Sequence, residues 1–391
     1  MTSKFPFPGG EPYLEDELLV LSKKFKKIFI YCFIKSEEEI RSGLPKNVTL
    51  ISNLTIEKSI SFGAKIKILF EILKDAINSK SKNYFLERFR YNFSQLKHCL
   101  GVASSLAKKI DDSFVVYSYW GNELATIASF IKELQPSVKF VFRVHGFDVF
   151  EEQTAYKFIP FREFQLKKCD SVFSVSKKGA AHLKRVYFNH SHKINVSYLG
   201  SFDCGINPYS NSTVFTIATC SIVRNVKRLQ ALAKVLMHVQ TPVKWYVIGN
   251  GDDLDSLKIQ CKQLPSHVQV VFVGYLNKGE LMQFYKTNPI HLFCSVSSSE
   301  GLPFSMIEAI SFGIPLLSTN VGGCSEICTN KTGILIDKDF SPGTVSSYLD
   351  EFFVSDMNTQ EFRQGVKDFW NQNFNAENTY TNFAKELEKS I

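Results

Sequence analysis

What most constrains this chain is an alternation. Short runs rich in β-branched and aromatic residues are separated by longer amphipathic stretches along most of its length. KIFIYCFI, SFVVYSYW, KFVFRVHG, SVFSVS and KINVSYLG read as strands, with helical patterns over 58–97, 122–134, 152–168 and 177–187 between them. A strand followed by a helix and another strand needs a crossover connection, so parallel sheets covered by helices are expected. A polar, turn-rich segment, GSFDCGINPYSNST at 200–213, breaks the pattern. The alternation then restarts with VFTIATCS, KWYVIGNG, VQVVFVG, IHLFCSV, PLLSTN and TGILI, with helical patterns over 228–239, 252–263, 278–286 and 304–312. The reading is α/β, with two doubly wound domains at 1–204 and 205–365. The stretch 341–391 is helical and aromatic and must pack on something large, with 366–391 set apart as a C-terminal helix. Ligands of such sheets bind beyond the carboxyl ends of the strands, and two such domains are expected to face a central cleft.

Composition removes several classes. No apolar run approaches the ~18 residues that cross a bilayer, and the start, MTSKFPFPGGEP, lacks a signal-peptide core, so a cytoplasmic location is expected. The nine cysteines, an odd number, then read as reduced thiols. The net charge of +8 is local: residues 1–200 hold 31 Lys and Arg against 20 Asp and Glu, and 201–391 hold 15 against 18. Much of the excess lies at 58–97, where Lys65, Lys67, Lys74, Lys80, Lys82, Arg88, Arg90 and Lys97 stand among Ile66, Leu69, Phe70, Ile72, Leu73, Phe85, Leu86 and Phe89. That region is read as a peripheral contact with anionic membrane on the inner face of the cell membrane, as a contact with a polyanionic substrate, or as a solvated helix face. Nucleic acid is not expected, since no binding motif accompanies the charge.

The densest chemistry lies in SVSSSEGLPFSMIEAISFGIPLLSTNVGGCSEI, residues 295–327. HLFCSV is a buried strand, SSSEGL a loop, and Pro303 stands where a helix can begin without its missing N–H mattering. A helix from about Phe304 to Gly313 would offer its positive end to a diphosphate, with Ser298, Ser299 and Gly301 allowing close backbone approach. Glu300 and Glu308 can face one pocket and accept hydrogen bonds from vicinal hydroxyls. That combination suits a nucleotide sugar.

Glu300-Gly301-Leu302-Pro303 with Glu308, then Ala309, Gly313, Pro315, Thr319, Val321-Gly322-Gly323 and Glu326, resembles the signature of glycosyltransferase family 4, whose members are retaining GT-B enzymes using nucleotide-sugar donors. Leu199-Gly200, IGNGDDLDSL (248–257) and VVFVGYLNKGEL (270–281) fit the family's C-terminal domain. FPFPGGEPYLEDEL (5–18), YSYWGNELA (117–125), RVHGFDVFEE (143–152) and SVSKKGAAHL (174–183) are similar to the acceptor domain of bacterial members that build surface polysaccharides. The family usually opens with a full strand before the glycine loop, whereas only MTSKFPF precedes Pro8 and Gly9-Gly10, so the start is expected to lie a few residues into that pattern.

The resemblance implies roles. Glu300 would hold the hexose, Glu308 the ribose, and Lys227 with the helix start at Leu302–Phe304 the departing diphosphate. Gly9 and Gly10 would face the donor phosphate and His145 the far side of the sugar, with Arg143 and Asp148 on the acceptor side. The family arginine position holds Ile222; either Arg224 supplies that charge from another angle or Lys227 works with helix dipoles alone. No DxD pair sits at a strand end, so a metal-independent reaction without cofactor is expected, and Asp252, Asp253 and Asp255 read as helix caps. His182, His190 and His192, and Cys324 with Cys328, lack a complementary pair at zinc spacing. P-loop, GxGxxG and GxSxG patterns are absent. The resulting expectation is transfer of a hexosyl unit from a nucleotide sugar to a glycan or lipid-linked saccharide in O-antigen, capsule or exopolysaccharide synthesis. The alternatives are a GT-B nucleotide-sugar epimerase and a non-catalytic polysaccharide-binding protein.

Overall fold

The computed structural model describes all residues except 8, 9, 12, 35–39, 41, 42, 52, 53, 57–60, 79–81, 155, 156, 390 and 391. The chain divides into two compact units, Met1–Tyr198 with Tyr380–Ile391, and Leu199–Thr379. The division therefore falls at Tyr198/Leu199 where 204 was expected, and the last helix, Ala376–Glu388, begins in the second unit and ends in the first.

In the first unit β1 (Ile28–Ile30) and β2 (Val48–Leu50) form a parallel pair, and β3 (Val115–Ser118), β4 (Lys139–Val144), β5 (Ser171–Ser174) and β6 (Ile194–Val196) form a parallel sheet in that order. β2 was not foreseen: VTL is three residues, too short for its alternation to stand out. The region 58–97 resolves into helices Phe62–Asn78 and Lys82–Ala107, with residues 79–81 and Lys80 among them outside the described residues. The expected helix over 152–168 shrinks to Arg162–Lys168, preceded by a single 3-10 turn at Glu151–Gln153.

The second unit follows the sequence pattern closely. Its strands are β7 (Phe215–Cys220), β8 (Val243–Ile248), β9 (Val268–Gly274), β10 (Leu292–Ser295), β11 (Leu316–Thr319) and β12 (Gly333–Ile336). They pair in the order β9-β8-β7-β10-β11-β12, all parallel. Counted from the first strand, that is the doubly wound order 3-2-1-4-5-6. Trp245, wholly buried on β8, donates its indole N–H to Thr219 Oγ1 on β7 at 3.0 Å, which satisfies the polar end of a large apolar side chain. The connection before β10 is fixed by an Asn277–Glu280 capping box at the start of helix Lys278–Thr287. Asp253 does occupy the N-cap position of helix Leu254–Cys261, but its side chain makes no cap hydrogen bond, so the capping expected of it is not observed.

Strand order reverses between β7 and β10, the place where doubly wound sheets open a crevice at their carboxyl ends. Four loops of the second unit meet there.

Candidate functional site

After β7 the chain makes a 3-10 turn, Asn225–Lys227, and Arg228 closes it in the left-handed region at φ 50°. The strain is held by the Arg228 side chain. Its guanidinium donates to the carbonyls of Val296 (2.7 Å) and Lys338 (2.8 Å) and lies 5.3 Å from the Phe340 ring centroid. Ser298 N–H donates to the Val226 carbonyl at 2.8 Å. The β7 and β10 loops are thus tied together, and Lys227 is carried to Glu300: Nζ and Oε1 are 2.5 Å apart. Ser297 Oγ donates to the same oxygen at 2.6 Å.

The third loop explains the glycine pair. Gly322 has φ 49°, and a Cβ there would lie 1.7 Å from the Glu300 carbonyl oxygen. Only a glycine lets the β11 loop pass. Gly323 N–H donates to the Gly301 carbonyl at 2.7 Å, and Thr319 Oγ1 donates to the Ser297 carbonyl at 2.6 Å. The loop after β8 is pressed against β7 in the same way, since a Cβ at Gly249 or Gly251 would meet the Ser221 or Val223 carbonyl oxygen at 2.0 and 2.2 Å.

Helix Phe304–Ser311 begins directly after this loop, with Pro303 at the N-cap rather than the first helical position. Glu308, one turn further along, is buried. Cys220, at the end of β7, feels both its carboxylate and Lys227: burial and Glu308 push its thiol up to about 12, while Lys227 opposes them. Glu308 and Lys227 thus both lie close enough to the end of β7 to act on Cys220. A small pocket there is lined by Thr219, Ser221, Lys227, Ser297, Glu300 and Ser305 among others. Ser221 and Ser297 were missed by sequence reasoning. Ser297 had a local signal, three residues before Glu300; Ser221 had none, and its buried hydroxyl has no partner among the described residues. Arg224 is exposed on the β7 loop, and Ile222, at the expected arginine position, is 59% exposed.

The remaining expected site residues lie in the first unit. His145, at the end of β4, is buried, and neither ring nitrogen has a hydrogen-bond partner among the described residues. Its ring sits 4.2 Å from Trp120 and 4.8 Å from Tyr119, centroid to centroid. Burial, then the nearby Arg143 charge, holds it well below the ordinary histidine range, so it is a neutral imidazole. Trp120 is itself anchored, donating its indole N–H to Glu11 Oε1 at 2.7 Å. The same carboxylate accepts from Ser3 N–H (2.7 Å) and Phe5 N–H (2.8 Å). Burial raises Glu11, yet these donors keep it below the usual carboxylate value. Gly10 folds back there, where a Cβ would come 2.6 Å from the Phe5 nitrogen; Gly9 lies outside the described residues.

Arg143 and Asp148, expected on the acceptor side, have side chains spent within the unit. Arg143 is fully buried and ion-paired with Glu17 at 3.3 Å, donates to Tyr117 Oη at 2.9 Å, and stacks 4.2 Å from the Phe383 centroid. Asp148 accepts the backbone N–H groups of His145 (2.7 Å), Gly146 (3.1 Å) and Gly121 (2.9 Å). It shapes the loop that carries His145. Among the described residues, Glu151, Glu152 and His182 come close enough together to share a metal ion, with His182 Nε2 2.7 Å from Glu151 Oε2.

Residues 210–368 match the model of the family Glycosyl transferases group 1. Those residues span β7 to β12 and hold the crevice just described. The O-antigen biosynthesis glycosyltransferase WbnH of Escherichia coli is 34% identical over 127 residues, 32% of this chain and 34% of that protein. The alpha-monoglucosyldiacylglycerol synthase of Streptococcus pneumoniae is 29% identical over 107 residues, 27% of this chain and 24% of that one. The matched stretch thus spans about a third or less of these curated relatives. Solved structures extend the fold likeness to the whole chain. The lipopolysaccharide outer core galactosyltransferase WaaB superposes with a TM-score of 0.68 at 15% identity, covering 100% of this chain and 98% of that one. Anabaena HepE in complex with UDP and glucose gives 0.66 at 12% identity, covering 99% and 98%. The fold is GT-B, with two Rossmann-like units.

Proposed function

We propose that this protein is a retaining hexosyltransferase of glycosyltransferase family 4, transferring from a nucleotide sugar to a glycan or lipid-linked saccharide in surface polysaccharide synthesis. One observation carries the reading: Lys227 and Glu300 meet at the strand-order reversal of the second unit, and Glu308 is buried on the helix that follows Glu300. The diphosphate departs against Lys227 and the start of helix Phe304–Ser311, because charge stabilisation where charge develops is usually the largest catalytic term. Glu300 holds the hexose hydroxyls and Glu308 the ribose. The acceptor oxygen attacks from the face the nucleotide leaves, and the departing phosphate oxygen takes the proton. No DxD pair stands at a strand end to hold a divalent ion under the diphosphate, so the reaction is assigned no metal. His145, neutral in its aromatic box, suits a sugar hydroxyl rather than a phosphate. The family match and WbnH, named as a glycosyltransferase, favour transfer over the epimerase and binding-protein readings.

Thermal unfolding with UDP, GDP and ADP and their sugars tests the donor. HepE's complex with UDP and glucose makes the uridine series the first choice. A true donor at 100 times its dissociation constant stabilises by ~2.7 kcal/mol; no shift with any nucleotide overturns the reading.

The acceptor side of the proposal includes contact with an anionic membrane. On helix Phe62–Asn78, Ile68 and Ile72 face inward, while Phe62, Ile66, Leu69, Phe70, Leu73 and Ile77 form an exposed stripe, Phe62 77% and Ile77 83% exposed. Helical geometry flanks that stripe with Lys65 on one side and Lys67 and Lys74 on the other. No helix among the described residues is long and apolar enough to cross a membrane. Binding to anionic liposomes should fall with salt and be lost when Lys65, Lys67 and Lys74 are reversed in charge together; unchanged cosedimentation of that variant removes the membrane from the proposal.

A further inference from the structure

Trp120 and Phe147 form an aromatic pair that packing of the core does not account for. Trp120 stands just past β3 and Phe147 just past β4, and those strands are parallel neighbours. Both rings therefore lie at the carboxyl end of the first unit's sheet, the end at which such sheets bind ligands. Their centroids are 5.1 Å apart and their planes 36° from parallel. Phe147 is 53% exposed and Trp120 half-buried. A single exposed phenylalanine is ordinary, but this one is braced. Asp148 Oδ2 accepts the N–H of Gly121, directly after Trp120, while its Oδ1 accepts those of His145 and Gly146, directly before Phe147. One carboxylate thus ties together the two loops that carry the rings. Arg162, wholly buried, donates from Nη2 to the carbonyls of Gly121 (2.7 Å) and Asp148 (2.6 Å). A Cβ at Gly121 would lie 2.6 Å from Arg162 Nη1, so glycine after Trp120 is what lets the brace close. Ser118 Oγ donates to the Trp120 carbonyl at 2.7 Å, and Glu11 takes the indole N–H. With its polar edge occupied, the indole has its face left to offer. A buried polar network here fixes an aromatic surface that faces solvent, which is preorganisation for a ligand.

The groups beneath the pair select the kind of ligand. His145, its centroid 4.2 Å from that of Trp120, is a neutral imidazole. Arg143 is paired with Glu17, Arg162 is bound to carbonyls, and the carboxylates of Glu11 and Asp148 are turned to N–H donors. An anion finds no free cation among these groups, and a cation finds no free carboxylate. What suits the pair is an uncharged ring with a face of C–H groups, whose slight positive charge meets the negative faces of the aromatic rings. A pyranose has such a face, and its hydroxyls can stay in water around the rim. We propose that Trp120 and Phe147 are a stacking platform for one sugar ring of the acceptor. The inference rests on the transferase reading, which requires a saccharide acceptor; it adds the two side chains that would select which sugar is presented.

The test labels the full chain with fluorotryptophan, which puts one fluorine reporter at each of Trp120, Trp245 and Trp370. Trp120→Phe assigns the first resonance; the other two report from buried positions in the second unit. Methyl β-galactopyranoside, methyl β-glucopyranoside and methyl α-mannopyranoside are titrated separately into the high millimolar range, beside sorbitol and uridine. At least one glycoside should move the Trp120 resonance saturably while those of Trp245 and Trp370 stay in place, and sorbitol, which has the hydroxyls without the ring, should not. Phe147→Ala should weaken that glycoside by about 10-fold and Phe147→Tyr should keep it. A Trp120 resonance unmoved by all three glycosides, moved equally by sorbitol, or titrating with unchanged affinity in Phe147→Ala overturns the proposal. A stronger response to uridine than to any glycoside overturns it too, because a nucleobase also stacks on an aromatic face. Stabilisation of the unlabelled chain by nucleotides reports separately on the transferase reading. If it is kept while every glycoside is silent, the platform alone falls; if it is absent while a glycoside binds, the transferase reading falls and the sugar site stands.

Discussion

The two units solve the same architectural problem differently. In the second, six strands lie in one parallel sheet, and the loops at the reversal point are laced together by backbone contacts so close that Gly249, Gly251 and Gly322 admit no side chain. In the first, the strands fall into a pair and a four-stranded sheet with an apolar cavity between them, and polar order is concentrated on two carboxylates, Glu11 and Asp148. The contrast teaches that a continuous sheet lets loops carry chemistry while the strands carry stability. In the first unit buried carboxylates fix loops instead: Asp148 holds the turn after β4, and Glu11 the segment from Ser3 to Phe5.

Lys227→Ala is the largest blow to that contrast. It should lower kcat by on the order of 100-fold or more with a smaller change in KM, because its charge is needed most as the diphosphate leaves. His145→Ala in the other unit should cost less. If Arg224→Ala is as harmful as Lys227→Ala, both cations serve the leaving group; if it is silent, Lys227 and the helix dipole suffice.

Asp75 probes the first unit's dependence on buried charge. It accepts the Phe161 N–H at 2.9 Å, and burial raises its carboxyl to about 7. The folded state therefore keeps a proton that the unfolded chain releases from about pH 3.8 upward, so this group's contribution to stability is lost as pH rises through that window to about 7. A shift of this size is worth a few kcal/mol, at about 1.4 kcal/mol per unit. Asp75→Asn keeps the acceptor and should flatten the pH dependence of Tm, with its gain seen near pH 8. An unaltered profile refutes the assignment.

Glu308→Ala should weaken nucleotide binding and Glu300→Ala mainly turnover, each by ~1.5–3 kcal/mol for a hydrogen bond to a charged group. Nucleotide titration beside steady-state kinetics separates them; identical effects from both variants would merge the two roles. The smallest effect is expected from excess EDTA, which should leave turnover unchanged. A loss restored by a divalent ion would bring a metal into the reaction.

Legibility in the sequence followed the same division. The second unit could be read because each strand is a short apolar run; spacing put Glu300 and Glu308 near one pocket, Lys227 came from the family resemblance, and the structure brings Lys227 to Glu300. Arg143 could not be read that way. Its partner Glu17 is distant in the chain, and nothing in RVHGFD says that the guanidinium is already spoken for. The split of the first sheet was equally hidden, because a strand's sequence records its own burial and not whether both edges are paired. The stripe on helix Phe62–Asn78 was legible as amphipathic, but which apolar residues faced inward was decided by what the helix packs against.

The left-handed turn at Arg228 has a kinetic corollary. Its guanidinium binds carbonyls of two other loops, so the segment that presents Lys227 is set while the domain folds. A ligand then meets one arrangement of that lysine, and the entropy of ordering the loop is not charged again at each turnover. Cutting the tie with Arg228→Gly keeps the backbone free to turn yet returns that ordering to the binding step, so capture of the donor should slow while the chemistry, once the donor is seated, keeps its rate.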